Sequence, residues 1–316
     1  MNRTMNETVS DGQVYTDLSA LGLIAIRGID AVTFLQGQFT NDVRKLSLQR
    51  AQYSGICSPK GRLLSNFLLW QHADTIYLQL PMTLQTFLLK RLSMYVLRSK
   101  VQLAEVAEQW LRLGIAGAEA SNVVETLMGK LPVEDMSVVD SGTATVIRLA
   151  ADRYQINVPA AEAGGFLAKV AAIAEPIDPD RWQWLEIRAG IPTIVPATQD
   201  QFVPQMVNFD LTNSVDFQKG CYTGQEIVAR TQYLGRLKRR MYLVHCNAEM
   251  VAGDEIFSPE MEGQATGMIV NAQVSPAGGW DALAVVQISS AQSQPLHVKA
   301  PDGALLALGQ LPYAVA

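Results

Sequence analysis

Short apolar runs alternate with longer stretches in which apolar residues recur every three or four positions. The runs predict strands at residues 22–27, 51–57, 62–70, 75–80 and 100–106. The helical spacing predicts a helix after Asp30, which would cap it, and a second helix over 84–95. Helices and strands mixed in this β-α-β-β-α-β manner are typical of a ferredoxin-like unit.

A similar pattern follows at smaller size. It predicts a strand at 110–117, a helix over 119–128, two strands that meet near Ser141-Gly142, a strand at 154–158 and an Ala-rich helix over 160–174. Residues 175–179 form a predicted linker, and Asp178 followed by Pro179 is typical of a helix start. The order of elements in the first unit is therefore expected to recur, although the sequence itself does not repeat.

Beyond Met241 the pattern changes to short strands separated by Gly-containing turns, which predicts a small all-β barrel. A chain of 316 residues is long for one core, so two or three domains are expected. The sequence thus indicates an α+β protein with two ferredoxin-like domains and a C-terminal β-barrel.

Composition narrows the class of protein. The net charge is −5, which argues against a general nucleic-acid surface, although Arg236, Lys238, Arg239 and Arg240 form a local basic patch. The three cysteines lack the spacing of a metal site or a disulfide framework, so we expect no metal and a reducing compartment. No signal peptide or membrane span is recognisable, and a cytoplasmic location is the expectation.

Residues 219–226, Lys-Gly-Cys-Tyr-Thr-Gly-Gln-Glu, carry the strongest chemical signal. Thr223 and Glu226 have the spacing of a capping box, which places Cys221 just before a helix N-terminus. The helix dipole and Lys219 would both favour a thiolate there. The alternative is that Cys221 fills a buried slot as a small hydrophobe.

The chain resembles the YgfZ proteins, which are folate-binding relatives of the glycine cleavage T-protein. Besides 219–226, five segments carry the resemblance in the right order: 35–43 (LQGQFTNDV), 60–66 (KGRLLSN), 189–192 (AGIP), 202–205 (FVPQ) and 311–313 (LPY). Together they span nearly the whole chain.

The resemblance implies three domains in a cloverleaf around a folate channel. The first domain would comprise residues 14–106 completed by 178–240, the second residues 107–177, and the barrel residues 241–316. It also implies folate, as tetrahydrofolate or another form, as the cofactor. Its partners would be iron–sulfur client enzymes, such as those that thiolate tRNA.

The same resemblance implies site residues. Trp182 falls where relatives contact folate through a tryptophan, and Leu21 falls at a second such contact, where some relatives carry tryptophan. Ser65, Asn66, Gln225 and Glu226 are assigned to the same site. Cys221 and Lys219 are candidate reactive residues, expected at the mouth of the folate channel.

Two departures from the T-protein pattern bear on the chemistry. The T-protein's aspartate pair, whose first member is essential for aminomethyl transfer, reads Ser65-Asn66 here, as it does in the YgfZ branch. Neither residue can act as a carboxylate base. Arg188 stands where relatives commonly carry a glutamate. Either Glu186 substitutes for it, or Arg188 binds a ring carbonyl or the folate tail, or pteridine affinity is weakened.

The leading hypothesis is a folate-binding accessory protein that supports iron–sulfur enzymes and tRNA modification, without robust turnover of its own. One rival is a tetrahydrofolate-dependent aminomethyltransferase or demethylase, against which Ser65 argues. The other is a tRNA-binding module that uses residues 236–240, against which the acidic net charge argues.

Overall fold

The computed structural model describes residues 12–142 and 144–315. The strands within those residues are β1 (Val14–Asp17), β2 (Leu21–Arg27), β3 (Gln52–Cys57), β4 (Leu63–His72), β5 (Thr75–Pro81), β6 (Gln102–Glu105), β7 (Trp110–Ala116), β8 (Val138–Asp140), β9 (Thr145–Ala150), β10 (Arg153–Pro159), β11 (Glu175–Pro176), β12 (Arg239–Cys246), β13 (Glu255–Phe257), β14 (Ala265–Val274), β15 (Trp280–Gln287), β16 (Leu296–Val298) and β17 (Ala304–Leu308). The α-helices are α1 (Ala31–Gln36), α2 (Met82–Val96), α3 (Ala120–Met128), α4 (Ala163–Ala171), α5 (Pro179–Arg188), α6 (Gln225–Tyr233) and α7 (Ile288–Ser293). Short 3-10 helices cover Val43–Lys45, Ala107–Gln109, Ala160–Glu162, Pro196–Thr198, Pro204–Val207 and Pro259–Met261.

The first sheet has the order β3-β4-β5-β2-β6 and is antiparallel throughout. Three strands rather than two lie between α1 and α2, so the unit is a ferredoxin-like arrangement with one additional edge strand. α2 buries Leu84, Leu88 and Leu92 against this sheet. Asp30 does not cap α1 through its side chain; its carboxylate accepts instead from the backbone N–H of Lys100 at 2.7 Å.

The second sheet, β11-β1-β7-β10-β9-β8, has the same arrangement with β7 in the place of β2, β1 in the place of β6, and β11 added outside β1. Both leading strands end at a glycine with nearly the same backbone angle, Gly28 at φ 123° and Gly117 at φ 122°. A Cβ at either position would collide with a backbone carbonyl about 2 Å away, that of Lys100 or Gly12. The predicted repetition of architecture is therefore confirmed.

One strand crosses between the predicted units. β1 lies between β11 and β7, so residues 14–17 belong to the second sheet by pairing, although the sequence placed them in the first domain. β11 is equally part of this sheet, which shows that residues 175–176 are more than a linker.

The strands of the first sheet are apolar on both faces because both faces are covered. Ile24 and Ile26 face the core shared with α1 and α2, whereas Leu23 and Ala25 face a core shared with the second sheet. Alternate residues of a strand point to opposite faces, so a fully apolar run is what a sheet between two layers requires. The helices α3 and α4 cover the outer face of the second sheet.

The β-barrel is closed in the order β12-β15-β14-β13-β16-β17, as the sequence predicted. α5 packs against β14 and β15 of the barrel and against β1. Its N-terminus is capped as predicted, with the Asp178 carboxylate accepting from the backbone N–H of Asp180 at 2.8 Å. The α+β fold class with a terminal barrel is therefore confirmed, and α5 lies where the three parts meet.

Candidate ligand cavity and the exposed cysteine

A cavity of about 580 Å³ lies between the two sheets, α5 and the barrel. The two sheets contribute Leu21, Tyr53, Asn66, Gln79, Leu149 and Gln155 to its lining. α5 and the barrel contribute Trp182, Gln183, Glu186, Met250, Asn271 and Trp280. Its volume is within the range of sites for small organic ligands, and its walls combine apolar side chains with a few polar ones.

Trp182 borders the cavity and anchors α5 at the same time. Its six-membered ring packs on the backbone of β7 at Gly114, where a Cβ would lie 2.5 Å from the ring. The guanidinium carbon of Arg153 lies 5.7 Å from the ring centroid. Position 114 therefore requires glycine. The Trp182 indole packs against β7, lies close to the Arg153 guanidinium and borders the cavity.

Glu186, one helical turn after Trp182, brings a carboxylate to the cavity. Its Oε1 accepts from Arg153 at 2.7 Å. Burial alone would lower the pKa of Arg153, but the Glu186 carboxylate holds it above its usual value. Burial beside Glu186 also raises the pKa of Tyr53, so its hydroxyl stays neutral. The cavity therefore contains a buried ion pair next to an aromatic hydroxyl.

Arg188 does not line the cavity. Its guanidinium carbon lies 5.9 Å from the ring centroid of Trp184, and that of Arg181 lies 4.2 Å from the same centroid. The Trp184 indole N–H donates to Asp281 of the barrel at 2.7 Å, and Asp281 also pairs with His245 at 2.8 Å. This face of α5 fastens the helix to the barrel, while the face with Trp182 and Glu186 borders the cavity.

Two glutamine side chains in the cavity wall form a reciprocal amide pair between the sheets. Gln79 Nε2 donates to Gln155 Oε1 at 2.9 Å, and Gln155 Nε2 donates to Gln79 Oε1 at 3.1 Å. Arg112, fully buried, donates to Gln79 at 3.4 Å and to the carbonyl of Leu21 at 2.8 Å. Burial lowers its pKa to about 10. These residues fix the orientation of the wall. Gln79 and Arg112 are polar residues within mainly apolar strands, whereas Gln155 shares β10 with Arg153 and Asn157.

The Ser65-Asn66 pair has a structural role in this geometry. Asn66 lines the cavity, but its amide donates to the carbonyl of Pro192 at 2.7 Å and accepts from the N–H of Ile194 at 2.8 Å. Ser65 is fully buried and does not line the cavity. Among the candidate site residues, the structure therefore brings Leu21, Asn66 and Trp182 together.

The candidates Lys219 and Cys221 lie in the loop before α6, and Gln225 and Glu226 lie in its first turn; none of the four lines the cavity. α6 begins at Gln225 after Gly224, which has φ 83° and supplies no side-chain cap, so the predicted capping box of Thr223 and Glu226 is wrong. Gly224 is required because a Cβ there would lie 2.4 Å from the carbonyl oxygen of Ser58. Close packing on the 58–61 turn, rather than capping, decides this helix start.

Lys219 points into the protein and away from solvent. Its Nζ donates to the carbonyl oxygens of Gln36, Phe39 and Asn41 at 2.9, 2.5 and 3.0 Å. It thereby ties the 219–226 loop to the segment after α1. Cys221, two residues later, is exposed, which excludes the alternative of a buried filler. Residues of the segments 35–43, 60–66 and 219–226 therefore lie together at one place, and that place is not part of the cavity wall.

The basic patch is smaller than the sequence indicated. Arg240 is buried and forms a bidentate pair with Asp210 at 2.7 and 2.8 Å, so its charge is used inside the fold. Arg236, Lys238 and Arg239 are at least partly exposed.

Within residues 12–142 and 144–315, no helix combines the length and apolar character needed to cross a membrane. No cluster of three or more His, Cys, Asp or Glu side chains in the same residues has the arrangement of a metal site.

Comparison with known proteins defines the class. Residues 5–153 match the family model of the GCVT N-terminal domain. Glycine cleavage system aminomethyltransferase T from Bartonella henselae has a similar structure, with a TM-score of 0.76 over 95% of this chain and 86% of that chain, at 18% identity. The fold is therefore that of the glycine cleavage aminomethyltransferases.

Sequence relatives narrow the class further. The tRNA-modifying protein YgfZ of Yersinia pseudotuberculosis serotype O:1b (strain IP 31758) is 32% identical over 300 residues, which cover 93% of this chain and 90% of that protein. The tRNA-modifying protein YgfZ of Serratia proteamaculans (strain 568) is 32% identical over 301 residues, with the same coverage. The chain belongs to the YgfZ family, as the resemblance predicted.

Proposed function

We propose that this protein binds a folate, with tetrahydrofolate as the expected form, in the cavity between the sheets, α5 and the barrel. The observation that carries the proposal is the joint presence of Trp182 and Glu186 on the cavity face of α5. A pteridine needs an aromatic or apolar wall and an acceptor for its amino and ring N–H groups. The volume of about 580 Å³ is sufficient for a ligand of this size.

The geometry favours Glu186 over Arg188 as the pteridine-edge residue. Glu186 lines the cavity, and its carboxylate can accept hydrogen bonds from the ligand while it retains Arg153. Arg188 lies against Trp184 on the other face of α5. Of the three readings of the sequence, substitution by Glu186 is the one we adopt.

We infer an accessory role rather than aminomethyl transfer. Ser65 is buried outside the cavity wall, and both polar groups of Asn66 already have partners in the 192–194 segment. No carboxylate therefore stands at the place of the T-protein's essential aspartate. The relatives are tRNA-modifying proteins, and we propose that this chain supports tRNA modification in the same way, through iron–sulfur client enzymes.

Cys221 is the residue through which we expect that support to act. It is exposed on a loop that Lys219 anchors to the protein interior, so its thiol is accessible while its backbone is fixed. The structure gives it no place in the cavity wall. We therefore propose that it contacts a client protein or its reactive group, and not the folate.

Titration of tetrahydrofolate by calorimetry, together with intrinsic fluorescence, tests the binding site. We expect saturable binding that Trp182→Ala abolishes. Glu186→Gln should weaken it by about 10- to 100-fold, since a hydrogen bond to a charged group contributes about 1.5–3 kcal/mol. Arg188→Gln is the matched control, because Arg188 is on the same helix but does not line the cavity. Loss of affinity in Arg188→Gln with full binding in Glu186→Gln would overturn the assignment.

Complementation of a strain that lacks its own family member tests the cellular role. Cys221→Ala should fail to restore tRNA thiolation while its thermal unfolding matches the wild type. Cys246→Ala, which changes a buried cysteine of the barrel, is the control and should complement. Full restoration by Cys221→Ala would exclude a role for the exposed thiol.

A further inference from the structure

The outward face of α2 carries large apolar side chains that nothing in the described residues covers. Phe87 and Met94, two helical turns apart on α2, are 39% and 65% exposed, and Leu97, directly after the helix, is 86% exposed. Ile29, 85% exposed, lies beside the C-terminal end of the helix, because Gly28 and Asp30 both contact the backbone of Lys100. Single exposed apolar residues are common, but a contiguous group is typical of an interaction site. We call this group, with Lys90 and Arg98, the α2 surface.

The backbone conformation of Leu97 argues against a purely structural reason for its exposed side chain. It follows α2 with φ 45°, a left-handed conformation that is unfavourable for a leucine. Its side chain gains nothing from burial, since it projects into solvent. A strained residue that displays an apolar side chain points to a contact outside the chain.

Charge indicates the chemistry of that contact. Residues 82–100 contain four cations, Lys90, Arg91, Arg98 and Lys100, and no acidic residue, although the whole chain has a net charge of −5. Two carboxylates contact this segment and keep their charge: Asp30 accepts from the backbone of Lys100, and Glu105 accepts from the Thr86 hydroxyl at 3.4 Å. Four cations against these two carboxylates leave a net positive charge around α2 within an acidic protein.

We propose that the α2 surface docks a partner protein that presents apolar side chains flanked by carboxylates, in the manner of an acidic amphipathic helix laid along α2. Complementary charge would orient the partner, and Phe87, Met94 and Leu97 would supply the buried contact. α2 has 15 residues and is therefore roughly 22 Å long, enough to support a helix of several turns. Met82 and Thr83 at its N-terminal end line the cavity, so a docked partner reaches the cavity wall.

A second copy of this chain and a membrane surface fit the α2 surface less well than a partner protein does. A two-fold dimer through this face would bring like charges of both copies together. A membrane-surface helix separates its cations from its apolar stripe, whereas Lys90 lies between Phe87 and Met94 on the same face of α2. A protein partner can place a carboxylate opposite each cation, which a bilayer surface cannot do with the same precision of position.

The test uses the full chain in cells with a photo-crosslinking residue placed at Met94 or at Leu97. Exposed controls carry the same residue at Val133 or Leu305, which lie on other parts of the fold. We expect a discrete adduct from both α2 positions and none from the controls. The crosslinked peptide, identified by mass spectrometry, should contain carboxylates next to apolar residues. The double variant Lys90→Glu, Arg98→Glu should reduce the yield by about 10-fold or more, and Lys130→Glu, Lys169→Glu should leave it unchanged.

Experiments on the purified protein distinguish a partner protein from a second copy of this chain and from a membrane surface. Folate binding by the Lys90→Glu, Arg98→Glu variant should equal that of the wild type, because neither side chain lines the cavity. Sedimentation velocity that shows a dimer lost in this variant would overturn the proposal in favour of a second copy. Co-sedimentation with phosphatidylglycerol vesicles lost in this variant would overturn it in favour of a membrane surface. Absence of a specific adduct from Met94 and Leu97 would also refute it.

Discussion

Replacing Lys219 with methionine removes an ammonium group that three backbone carbonyls hold inside the protein. The acceptors are Gln36, Phe39 and Asn41, with distances of 2.9, 2.5 and 3.0 Å from Nζ. Methionine is similar in length and flexible, so the change removes charge and donors more than volume. A buried acceptor left without a partner costs about 1–3 kcal/mol. We therefore expect Lys219→Met to be less stable than the wild type at neutral pH.

The pH dependence of that difference identifies the buried charge. Burial lowers the pKa of Lys219 from 10.5 to about 8. Between these values the unfolded chain binds more protons than the folded protein, so the free energy of unfolding rises with pH. From about pH 7.5 to about pH 9.5 this contribution grows by roughly 2 kcal/mol. The stability advantage of the wild type over Lys219→Met should increase by the same amount.

The wild type must be compared with Lys219→Met at each pH because Cys57 adds a pH dependence of its own to the free energy of unfolding. Burial raises its pKa to about 12, so the folded protein retains a proton that the unfolded chain loses above about pH 8.5. This term lowers the free energy of unfolding as pH rises, against the trend from Lys219. Because Cys57 is present in both proteins, its contribution cancels in the difference.

Urea unfolding at several pH values across this window gives the measurement, with the denaturant slope required to stay constant. Lys45→Met is the matched control. Lys45 pairs with Asp216 at 2.6 Å but is largely exposed, so its replacement should have only a small effect on the free energy of unfolding. A stability difference between the wild type and Lys219→Met that does not change with pH would refute the buried ammonium.

Three substitutions test the cavity wall and the helix beside it. Gly114→Ala should displace the Trp182 ring, reduce stability by about 1–3 kcal/mol and shift tryptophan emission, and an unchanged spectrum would contradict the packing. Asn66→Asp sets a carboxylate against the carbonyl of Pro192, so thermal unfolding should occur at lower temperature without any gain of aminomethyl transfer; measured transfer would restore the enzyme alternative. Trp184→Phe removes the donor to a buried aspartate of the barrel and should cost about 1–3 kcal/mol in urea unfolding, whereas an unaltered midpoint would show that this hydrogen bond contributes nothing.

The local elements of this fold were predictable because their signals are local. Periods of two and about 3.6 residues distinguish strands from helices, and the Asp178-Pro179 start of α5 follows from backbone chemistry that neighbours in space do not alter. The capping box at Thr223 failed because a tertiary contact overrode it. Gly224 packs on the carbonyl of Ser58, and that contact fixes where α6 begins.

The residues of the cavity were only partly predictable, since a motif gives residue types and not directions. Glu186 and Arg188 are two positions apart, which on an α-helix places them about 200° from each other. Which of the two faces the cavity depends on how α5 sits against the barrel, and the bond from Trp184 to Asp281 settles that orientation.

The sequence by itself determined the family, the succession of strands and helices, and the absence of a carboxylate at positions 65 and 66. The tertiary structure decided which sheet takes up β1, that Lys219 turns inward and that Cys221 remains exposed. The physical reason is that strand pairing, burial and hydrogen bonding of these residues depend on groups up to about 180 positions away in the chain, such as the carbonyl of Phe39 that holds Lys219. No pattern along the sequence encodes those distances.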